Sequence, residues 1–299
     1  MPGHQRRVAP HRAVAEIVRD YITLTKPRII SLLLLTTVTA MFVADPSGPS
    51  LSLILWTCLG GYMAAGGAGA INHYIERDKD ARMSRTASRP LASGRVKPWH
   101  GLVFGIALGV LSVAQLAITV NPLSAALAAT GLLGYVFLYT IWLKPRTPQN
   151  IVLGGAAGAM PPLVGWAAAT GELSLNALWL FAVVFFWTPP HFWALSLLIK
   201  DDYAKTGTPM MPVVRGEETT RRQILLYSLL LVGLTTLPVV SGLFGLLYLG
   251  AALVLGGAFI GLAAVLLRNP SRAAARNLYL SSLLYLALLF VAMAVDRAV

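Results

Sequence analysis

Residues 51–89 read LSLILWTCLGGYMAAGGAGAINHYIERDKDARMSRTASR, where a long apolar segment runs directly into a charged one. The apolar part is long enough to cross the hydrocarbon layer of a membrane, which takes roughly 17–25 helical residues. Asn72, Glu76 and Asp80 follow each other at intervals of four, so in a continuing helix they share one face. The stretch therefore predicts a membrane-spanning helix that ends in a row of oxygen-bearing side chains.

The composition of the chain predicts a membrane protein with several spans. Hydrophobic residues make up 56% of the 299 residues, charged residues make up 12%, and the mean hydropathy is +0.68. A soluble protein of this length cannot bury so much apolar surface. The single cysteine, Cys58, lies inside an apolar segment, which excludes a disulfide framework and a cysteine-based metal site.

Nine apolar segments can be marked along the chain, and each must be helical because lipid offers the backbone no hydrogen-bond partner. They are Ile29–Ala44, Leu51–Ile75, Gly101–Val120, Pro122–Leu143, Ile151–Thr170, Leu175–Ile199, Gln223–Ser241, Leu243–Leu267 and Leu278–Val295. We therefore predict an all-α, polytopic membrane protein with nine transmembrane helices.

The loops between these segments alternate in charge. Lys and Arg occur in the N-terminal tail and in loops 76–100, 144–149, 200–222 and 268–277, whereas the intervening loops contain none. The positive-inside rule then predicts a cytoplasmic N-terminus, an external C-terminus and a location in the cell inner membrane. The same distribution accounts for the net charge of +12 without nucleic acid as a partner.

The first 28 residues form a basic tail before the transmembrane domain, which we place at residues 29–299. The tail lacks the apolar core that a secretory signal needs, although its arginines would suit a mitochondrial presequence. Glu16 and Asp20 argue against a presequence, because such segments are poor in acidic residues, and they favour a bacterial cytoplasmic tail.

Two interpretations of the charged stretch stay open on spacing alone. Arg85 and Arg89 follow the three oxygen-bearing side chains, so ligands that suit Mg²⁺ lie beside guanidinium groups that suit phosphate. A metal-bound phosphate would use both kinds of group. The alternative is a solvated cytoplasmic loop of alternating charge.

A second acidic loop begins after the sixth apolar segment, at Asp201 and Asp202. If the two acidic loops face each other, they form a negatively charged basin that Mg²⁺ and a diphosphate would fill. Lys144, Arg146 and Lys200 add cations at the same membrane face. The chain has no P-loop, GxSxG or HExxH motif. The pattern therefore favours ionisation of a prenyl diphosphate whose tail lies in the apolar bundle.

The sixth segment contains an ionisable group well inside the membrane. Pro189 and Pro190 remove two backbone donors there and predict a kink. His191 follows them about two turns from the cytoplasmic end, and an ionisable residue at that depth faces the bundle interior by default. It would line the substrate cavity or bond a carbonyl group that the prolines leave free.

Several longer sequence motifs resemble those of a known family. The stretch 72–90, N-x-x-x-E-x-x-x-D followed by M-x-R-T-x-x-R-P, resembles the first motif of the UbiA superfamily of intramembrane prenyltransferases. Within that superfamily, residues 139–166, residues 187–203 and the TKPRI stretch at residues 25–29 resemble the branch that transfers farnesyl to heme. The resemblance extends from about residue 21 to the last span.

The resemblance implies a nine-helix fold around a central cavity, with both acidic motifs on cytoplasmic loops. It implies transfer of the farnesyl group of farnesyl diphosphate to a vinyl group of heme b, which gives heme O and releases diphosphate. The metal-binding residues for Mg²⁺ would be Asn72, Glu76, Asp80, Asp201 and Asp202, of which all but Asp201 are also predicted catalytic residues. The diphosphate ligands would be Arg85, Arg89, Lys144, Arg146 and Lys200.

Two features depart from the family pattern. Glu76 stands where Asp is common, and its longer carboxylate should still reach Mg²⁺. The second motif, at Asp201 and Asp202, is sparser than the Asp-rich version of quinone prenyltransferases. The sparser motif bears on whether a second Mg²⁺ is bound as tightly.

Candidates for contact with farnesyl or heme are His73, Tyr139, Asn150, His191 and Tyr203. Tyr139, like Tyr74, would face an allylic cation with its ring or anchor the protein at the membrane interface. His73 and His191 would approach the heme iron or its propionates. For His73 the favoured alternative is a position in solvent.

The implied reaction needs no protein nucleophile, because loss of diphosphate gives a farnesyl cation that the heme vinyl group attacks before water captures the product cation. Expected partners are membrane lipid and heme A synthase or terminal oxidase assembly proteins. Two other functions stay open. One is prenylation of a quinone precursor or chlorophyllide, and the other is transport, which would place charges near the membrane midplane.

Overall fold

The computed structural model describes residues 13–299 and shows a bundle of helices. They are α1 (Val14–Thr25), α2 (Pro27–Ala44), α3 (Leu51–Asp80), α4 (Pro98–Thr119), α5 (Pro122–Leu133), a π-helical segment (Gly134–Leu143), α6 (Asn150–Gly158), α7 (Met160–Thr170), α8 (Leu175–Leu198), α9 (Lys200–Lys205), α10 (Met211–Val214), α11 (Glu217–Val240), α12 (Leu246–Arg268) and α13 (Arg272–Ala298). No strand occurs within the described residues. The fold is therefore all-α, as predicted.

Nine helical spans in this part of the chain are long and apolar enough to cross a membrane, which confirms the predicted number. The π-helical segment continues α5 as the fourth span, and α6 with α7 forms the fifth. The protein is a multi-pass membrane protein. α1, α9 and α10 are too short to span.

The second half of the predicted tail is folded, whereas residues 1–12 lie outside the described residues. α1 packs on α3 and buries Asp20, whose carboxylate oxygen Oδ1 lies 3.2 Å from Nε of Arg95. Lys26 connects α1 to α2 in a left-handed conformation, with φ at 59°, and Pro27 opens α2. The resulting elbow places the Lys26 side chain against α3.

Two spans that the sequence predicts as single helices are irregular. In the fourth, the amide of Lys144 donates to the carbonyl of Tyr139, five residues back, at 2.9 Å. In the fifth, α6 ends at Gly158, and α7 starts just before two prolines that cannot donate backbone hydrogen bonds. α8 in contrast continues through Pro189 and Pro190, so the proline pair does not end the helix.

Small residues let the spans pack closely, which is a common arrangement between helices in membranes. A Cβ atom on Gly67 would lie 2.7 Å from the carbonyl oxygen of Gly105 on α4. A Cβ atom on Gly165 of α7 would overlap the backbone of Thr37 on α2. The α2–α7 crossing therefore depends on glycine at position 165.

We expect Gly165→Ala to lower the stability of the protein by about 1–3 kcal/mol, because a methyl group in a filled contact forces the backbones apart. The thermal unfolding midpoint in detergent measures this effect. Gly261→Ala is the matched control, since a Cβ atom at this α12 position meets nothing within 4 Å. An unchanged midpoint for Gly165→Ala would contradict the close crossing.

Candidate functional site

A chain of hydrogen bonds runs along the end of α3. Lys26 Nζ donates to Asn72 Oδ1 at 2.7 Å, and Asn72 Nδ2 donates to Glu76 Oε2 at 3.0 Å. Lys144 Nζ donates to the same carboxylate oxygen at 2.6 Å. Asn72 and Glu76 are buried, at 2% and 8% exposure. The helix thus continues far enough to carry the polar residues at spacing four into the protein, which excludes the solvated-loop interpretation for them.

Asp80 ends the same face of α3 and is also buried. Its carboxylate accepts a hydrogen bond of 2.7 Å from Nη1 of Arg89. The segment between them turns back on itself, because the Thr86 hydroxyl donates to the Asp80 carbonyl oxygen at 3.0 Å. The turn brings the arginine that follows α3 in sequence beside the last acid of the helix.

The π-helical segment positions the partners of α3 on the other side. Thr140 Oγ1 accepts from Asn72 Nδ2 at 3.2 Å and donates to the carbonyl of Tyr135, five residues back. The wide turn of a π-helix places Tyr139 and Lys144 on the same side, with Nζ 5.8 Å from the ring centroid. Such segments occur often at functional sites.

The basic groups outnumber the acids at this end of α3. The two carboxylates, Glu76 and Asp80, face Lys26, Lys144 and Arg89. The basin expected from the acidic loops therefore also contains basic side chains from three separate segments, of which Lys144 and Arg89 were expected and Lys26 was not. An anion is therefore better suited to this site than a bare cation.

The pKa values of Lys26 and Lys144 shift in opposite directions. Burial and the nearby Arg89 guanidinium lower the pKa of Lys26 to about 7, although Glu76 opposes the shift. Burial also acts to lower the pKa of Lys144, but the adjacent Glu76 carboxylate outweighs it and raises the pKa. Lys144 is therefore charged at neutral pH, and Lys26 is poised to gain charge when an anion arrives.

The two acidic loops meet, as the sequence predicted. Asp202 on α9 accepts hydrogen bonds from the Ser84 hydroxyl at 2.9 and 3.0 Å, and from the amides of Ser84 and Arg85 at 3.3 and 3.4 Å. Burial alone would raise the pKa of Asp202, but these bonds hold it below its usual range. Tyr203, the next residue, is buried, which raises the pKa of its hydroxyl. Asp202 thus links the segment after α3 to the segment after α8.

Residues 33–292 match the UbiA prenyltransferase family. The chain belongs to this family. The match covers all of α3, the π-helical segment and α9, so the site described above lies inside it except for Lys26.

Relatives at high identity share one name. The protoheme IX farnesyltransferase of Roseiflexus sp. (strain RS-1) is 56% identical over 283 residues, which cover 95% of this chain and 53% of the relative. The protoheme IX farnesyltransferase of Synechocystis sp. is 50% identical over 288 residues, which cover 96% of this chain and 91% of the relative. The chain therefore spans about half the length of the first relative and most of the second.

Solved structures of the family have the same fold at low identity. A digeranylgeranylglyceryl phosphate synthase matches with a TM-score of 0.78 and 18% identity, over 95% of this chain and 99% of that one. A UbiA homologue from Archaeoglobus fulgidus bound to GPP and Mg²⁺ matches with a TM-score of 0.63 and 16% identity, over 92% and 99%. The nine-span UbiA fold is thereby confirmed.

Four predicted site residues of this UbiA chain lie away from the α3 network. Lys200 pairs at 3.0 Å with Glu217 and is more than one third exposed. Arg146 donates to the carbonyls of Ile141 and Trp142, where it caps the π-helical segment. The side chains of Arg85 and Asp201 are exposed. No contact among residues 13–299 joins any of these four side chains to Glu76 or Asp80.

The two candidate histidines occupy different places. His73 is 2% exposed, and neither ring nitrogen has a partner within residues 13–299, so the solvent-facing alternative is wrong. His191 lies 2.6 Å from the hydroxyl of Ser282 on α13 and stacks on Trp187. It therefore does not bond a carbonyl that the prolines leave free. Ser282 donates to the Tyr279 carbonyl at 2.6 Å, so His191 Nδ1 donates to Ser282 and Nε2 remains an acceptor.

The other candidates divide between the interior of the bundle and the surface of α3. Tyr139 is buried beside Lys144, and a Cβ atom on Gly154 would overlap its ring. Asn150 is fully buried, and its Oδ1 lacks a partner among the described residues. Tyr74 instead packs near α1 and stacks with Arg77 at 4.8 Å, so its ring points away from Glu76.

Lys26 is the site residue that sequence reasoning missed. It bonds Asn72 and lies 3.5 Å from the hydroxyl of Tyr135. Its signal was present in the TKPRI stretch, where a cation directly precedes the proline that opens the first span. The family resemblance includes this stretch but assigns no ligand within it.

Lys144→Met should lower stability by about 2 kcal/mol, because it leaves the buried Glu76 carboxylate without its cation. The loss is smaller than for a fully buried pair, since Lys144 keeps 16% side-chain exposure. Adding Glu76→Gln should recover much of the loss in thermal unfolding. Lys200→Met, which breaks the exposed pair with Glu217, should change stability by less than about 1 kcal/mol. Equal losses for the two lysines would contradict the buried pair.

Proposed function

We propose that this chain transfers the farnesyl group of farnesyl diphosphate to a vinyl group of heme b, giving heme O and releasing diphosphate. The observation that carries the proposal is a buried network of acids and cations at the mouth of an apolar cavity. The name shared by relatives at 50–56% identity supports farnesyl as donor and heme as acceptor.

The basic side chains of the network suit the diphosphate. Lys26, Lys144 and Arg89 already lie beside the α3 acids, where they would exchange carboxylate contacts for phosphate oxygens. Hydrogen bonds to the departing oxygen stabilise the charge that develops there as the carbon–oxygen bond breaks. The backbone amide of Arg85 donates to Asp202 at 3.4 Å, so its exposed side chain starts beside this site and could add to this field.

The oxygen donors of α3 fit Mg²⁺ when diphosphate supplies further ligands. Asn72, Glu76 and Asp80 offer an amide oxygen and two carboxylates, which are hard ligands that Mg²⁺ accepts. Within residues 13–299 no three His, Cys, Asp or Glu side chains are close enough to hold a metal ion by themselves. Bound Mg²⁺ would stabilise negative charge on the leaving diphosphate. The Archaeoglobus fulgidus homologue bound to GPP and Mg²⁺ supports this part of the proposal.

We assign Asp202 a positioning role. Its carboxylate is occupied by Ser84 and by the amides of Ser84 and Arg85, so it fixes the turn that leads to Arg89. Asp201 is exposed beside it. This arrangement favours a metal held mainly by α3 over two equivalent metal sites.

The farnesyl tail would occupy the apolar cavity between α2, α3, α5 and α7, which opens beside Lys26 and Tyr135. An apolar enclosure keeps water away from the allylic cation until the vinyl carbon attacks. The ring of Tyr139, buried next to Lys144, is placed to face positive charge.

Two groups are suited to the heme. His191 presents Nε2 as an acceptor while Ser282 holds its Nδ1, and such a nitrogen is a common axial ligand of heme iron. His73 is buried one residue after Asn72 without a partner among the described residues. We therefore assign His191 to the heme iron. We assign His73 to the side of the cavity that would take farnesyl diphosphate.

The proposed orientation places this site at the cytoplasmic face of the cell inner membrane. The end of α3, the end of the π-helical segment and α9 lie on the side where the basic loops cluster. The C-terminus is then external. Heme A synthase and terminal oxidase assembly proteins are the partners expected to take up heme O.

Asp80→Asn and Glu76→Gln should each lower heme O formation by at least about 100-fold, because each removes a carboxylate ligand of the Mg²⁺ that would stabilise the leaving diphosphate. Purified protein with farnesyl diphosphate, heme b and Mg²⁺ is assayed by mass spectrometry of the heme product. Asp78→Asn is the matched control. It lies on the same helix, is exposed and pairs with Arg77, so its activity should be unchanged.

Normal heme O formation in Asp80→Asn or Glu76→Gln would overturn the assignment of the diphosphate site. Wild-type protein that releases diphosphate from farnesyl diphosphate without forming heme O would retain that site but refute heme as the acceptor. Parallel reactions with 4-hydroxybenzoate and chlorophyllide then identify the other prenyltransferase alternatives.

A further inference from the structure

One side of the short helix α1 packs on the bundle. Asp20 and Leu24 are buried, and Asp20 pairs with Arg95 at 3.2 Å. The Tyr21 ring lies 5.0 Å from the ring of Phe104 on α4, edge to face. These contacts hold the C-terminal half of α1, whereas residues 14–19 are all exposed.

The exposed surface of α1 divides into an apolar face and a polar face. Four side chains that are 41–77% exposed form the apolar face, namely Val14, Ile17, Val18 and Ile22. At 3.6 residues per turn they fall within an arc of about 140°. Arg19 and Thr23 lie on the opposite side of the helix and are also exposed. Such a division is typical of a helix that lies in the plane of the membrane interface.

The neighbouring helix α4 indicates the depth of α1. Trp99, in the first turn of α4, is 59% exposed, and tryptophans that face lipid collect at the membrane interface. Phe104, which contacts Tyr21, follows five residues later, or about 8 Å deeper at the rise of an α-helix. An in-plane helix buries its apolar face about 5–10 Å into the boundary of headgroups and acyl chains. α1 therefore meets the bundle at the depth where its apolar face contacts acyl chains.

The charges near α1 suit anionic headgroups. Arg19 lies on the helix, Arg28 follows the elbow, and Lys97 precedes α4, and all three are exposed. Of the two acids on α1, Asp20 is buried, so Glu16 is the acid on the exposed side. The exposed surface is therefore net positive, and cations at this level attract the phosphate groups of anionic phospholipids.

We propose that α1 is an in-plane anchor that inserts its apolar face among acyl chains and binds anionic phospholipid headgroups through Arg19. The spans already hold the protein in the membrane. The contact instead fixes the orientation of α1, and with it the residues that follow α1 in the chain.

The C-terminal end of α1 leads directly into the α3 network. The Thr25 hydroxyl lies 2.8 Å from the hydroxyl of Tyr62 on α3. A Cβ atom on Gly69 of α3 would lie 3.1 Å from the carbonyl oxygen of Leu24, so the two helices are in close contact here. Lys26 is the next residue and bonds the α3 network. The lipid contact of α1 therefore helps to position Lys26. This consequence rests on the proposed function, in which Lys26 receives the prenyl diphosphate.

Fluorescence quenching in the full chain tests the membrane contact without a substrate. The single cysteine is removed by Cys58→Ala, and a bimane group is attached at Val18→Cys or at Thr23→Cys. Both positions are exposed, but Val18 lies on the apolar face and Thr23 on the polar face. In nanodiscs, lipid brominated on its acyl chains should quench the label at position 18 at least about two-fold more than the label at position 23. Aqueous iodide should have the reverse preference.

Equal quenching of the two labels by iodide would overturn the in-plane orientation. A label at position 18 that neither quencher reaches would mean that protein covers the apolar face, which overturns lipid as its partner.

The preference for anionic lipid is tested in the same labelled chain. Phosphatidylglycerol added to phosphatidylcholine should increase lipid quenching at position 18. Arg19→Gln should remove most of this increase. Arg222→Gln should retain it, because Arg222 is an exposed cation on α11 that pairs with Glu218. The absence of an increase, or its equal loss in both variants, would overturn anionic headgroups as the ligand of Arg19.

The effect on Lys26 is tested with farnesyl S-thiolodiphosphate, a non-reactive analogue of the donor, in nanodiscs with Mg²⁺. Val18→Asp should weaken binding of the analogue about five-fold, because it disfavours the docked orientation of α1. Thr23→Asp adds the same charge on the polar face, so it should change binding less than about two-fold. Equal losses would overturn the positioning of Lys26. Wild type that binds no analogue refutes the proposed function, whereas the quenching result decides the membrane contact by itself.

Discussion

The carboxylate of Glu76 lies buried at the end of a membrane-spanning helix, and the geometry of the site follows from the need to neutralise it. An unpaired charge in such a place costs several kcal/mol. Lys144 supplies the cation, and Asn72 supplies a further hydrogen bond. The π-helical segment brings Lys144 to this carboxylate, while the α1–α2 elbow brings Lys26 to Asn72. Each irregular backbone segment thus carries one member of the network.

The network at the end of α3 is also what a prenyl diphosphate would use. Paired charges at a membrane face can exchange partners with little change in backbone position, because acids and cations are already desolvated and oriented. The apolar cavity begins at the same network, beside Lys26. In the proposed function, the polar head and the apolar tail of one substrate would therefore have adjacent sites. The acceptor would approach His191, which is held by Ser282 on α13.

Hydropathy and helical spacing were enough to predict nine spans and the shared face of Asn72, Glu76 and Asp80, because both depend on local periodicity. The spacing of the residues does not predict which cations pair with those acids. Lys26 and Lys200 look alike in sequence, but packing places the first against α3, bonded to Asn72, and leaves the second with Glu217 at the surface. The π-helical register was also unpredictable, since tertiary contacts such as Thr140 with Asn72 accompany it.

Photo-cross-linking with a farnesyl diphosphate analogue that carries a diazirine at the end of its chain shows where the tail of the donor lies in the bundle. The labelled peptides are mapped by mass spectrometry with and without excess farnesyl diphosphate. We expect competed labelling of α2 and α3 near Thr37 and Gly61, and loss of labelling when Asp80 is replaced by Asn. Competed labelling confined to α11–α13 would contradict it.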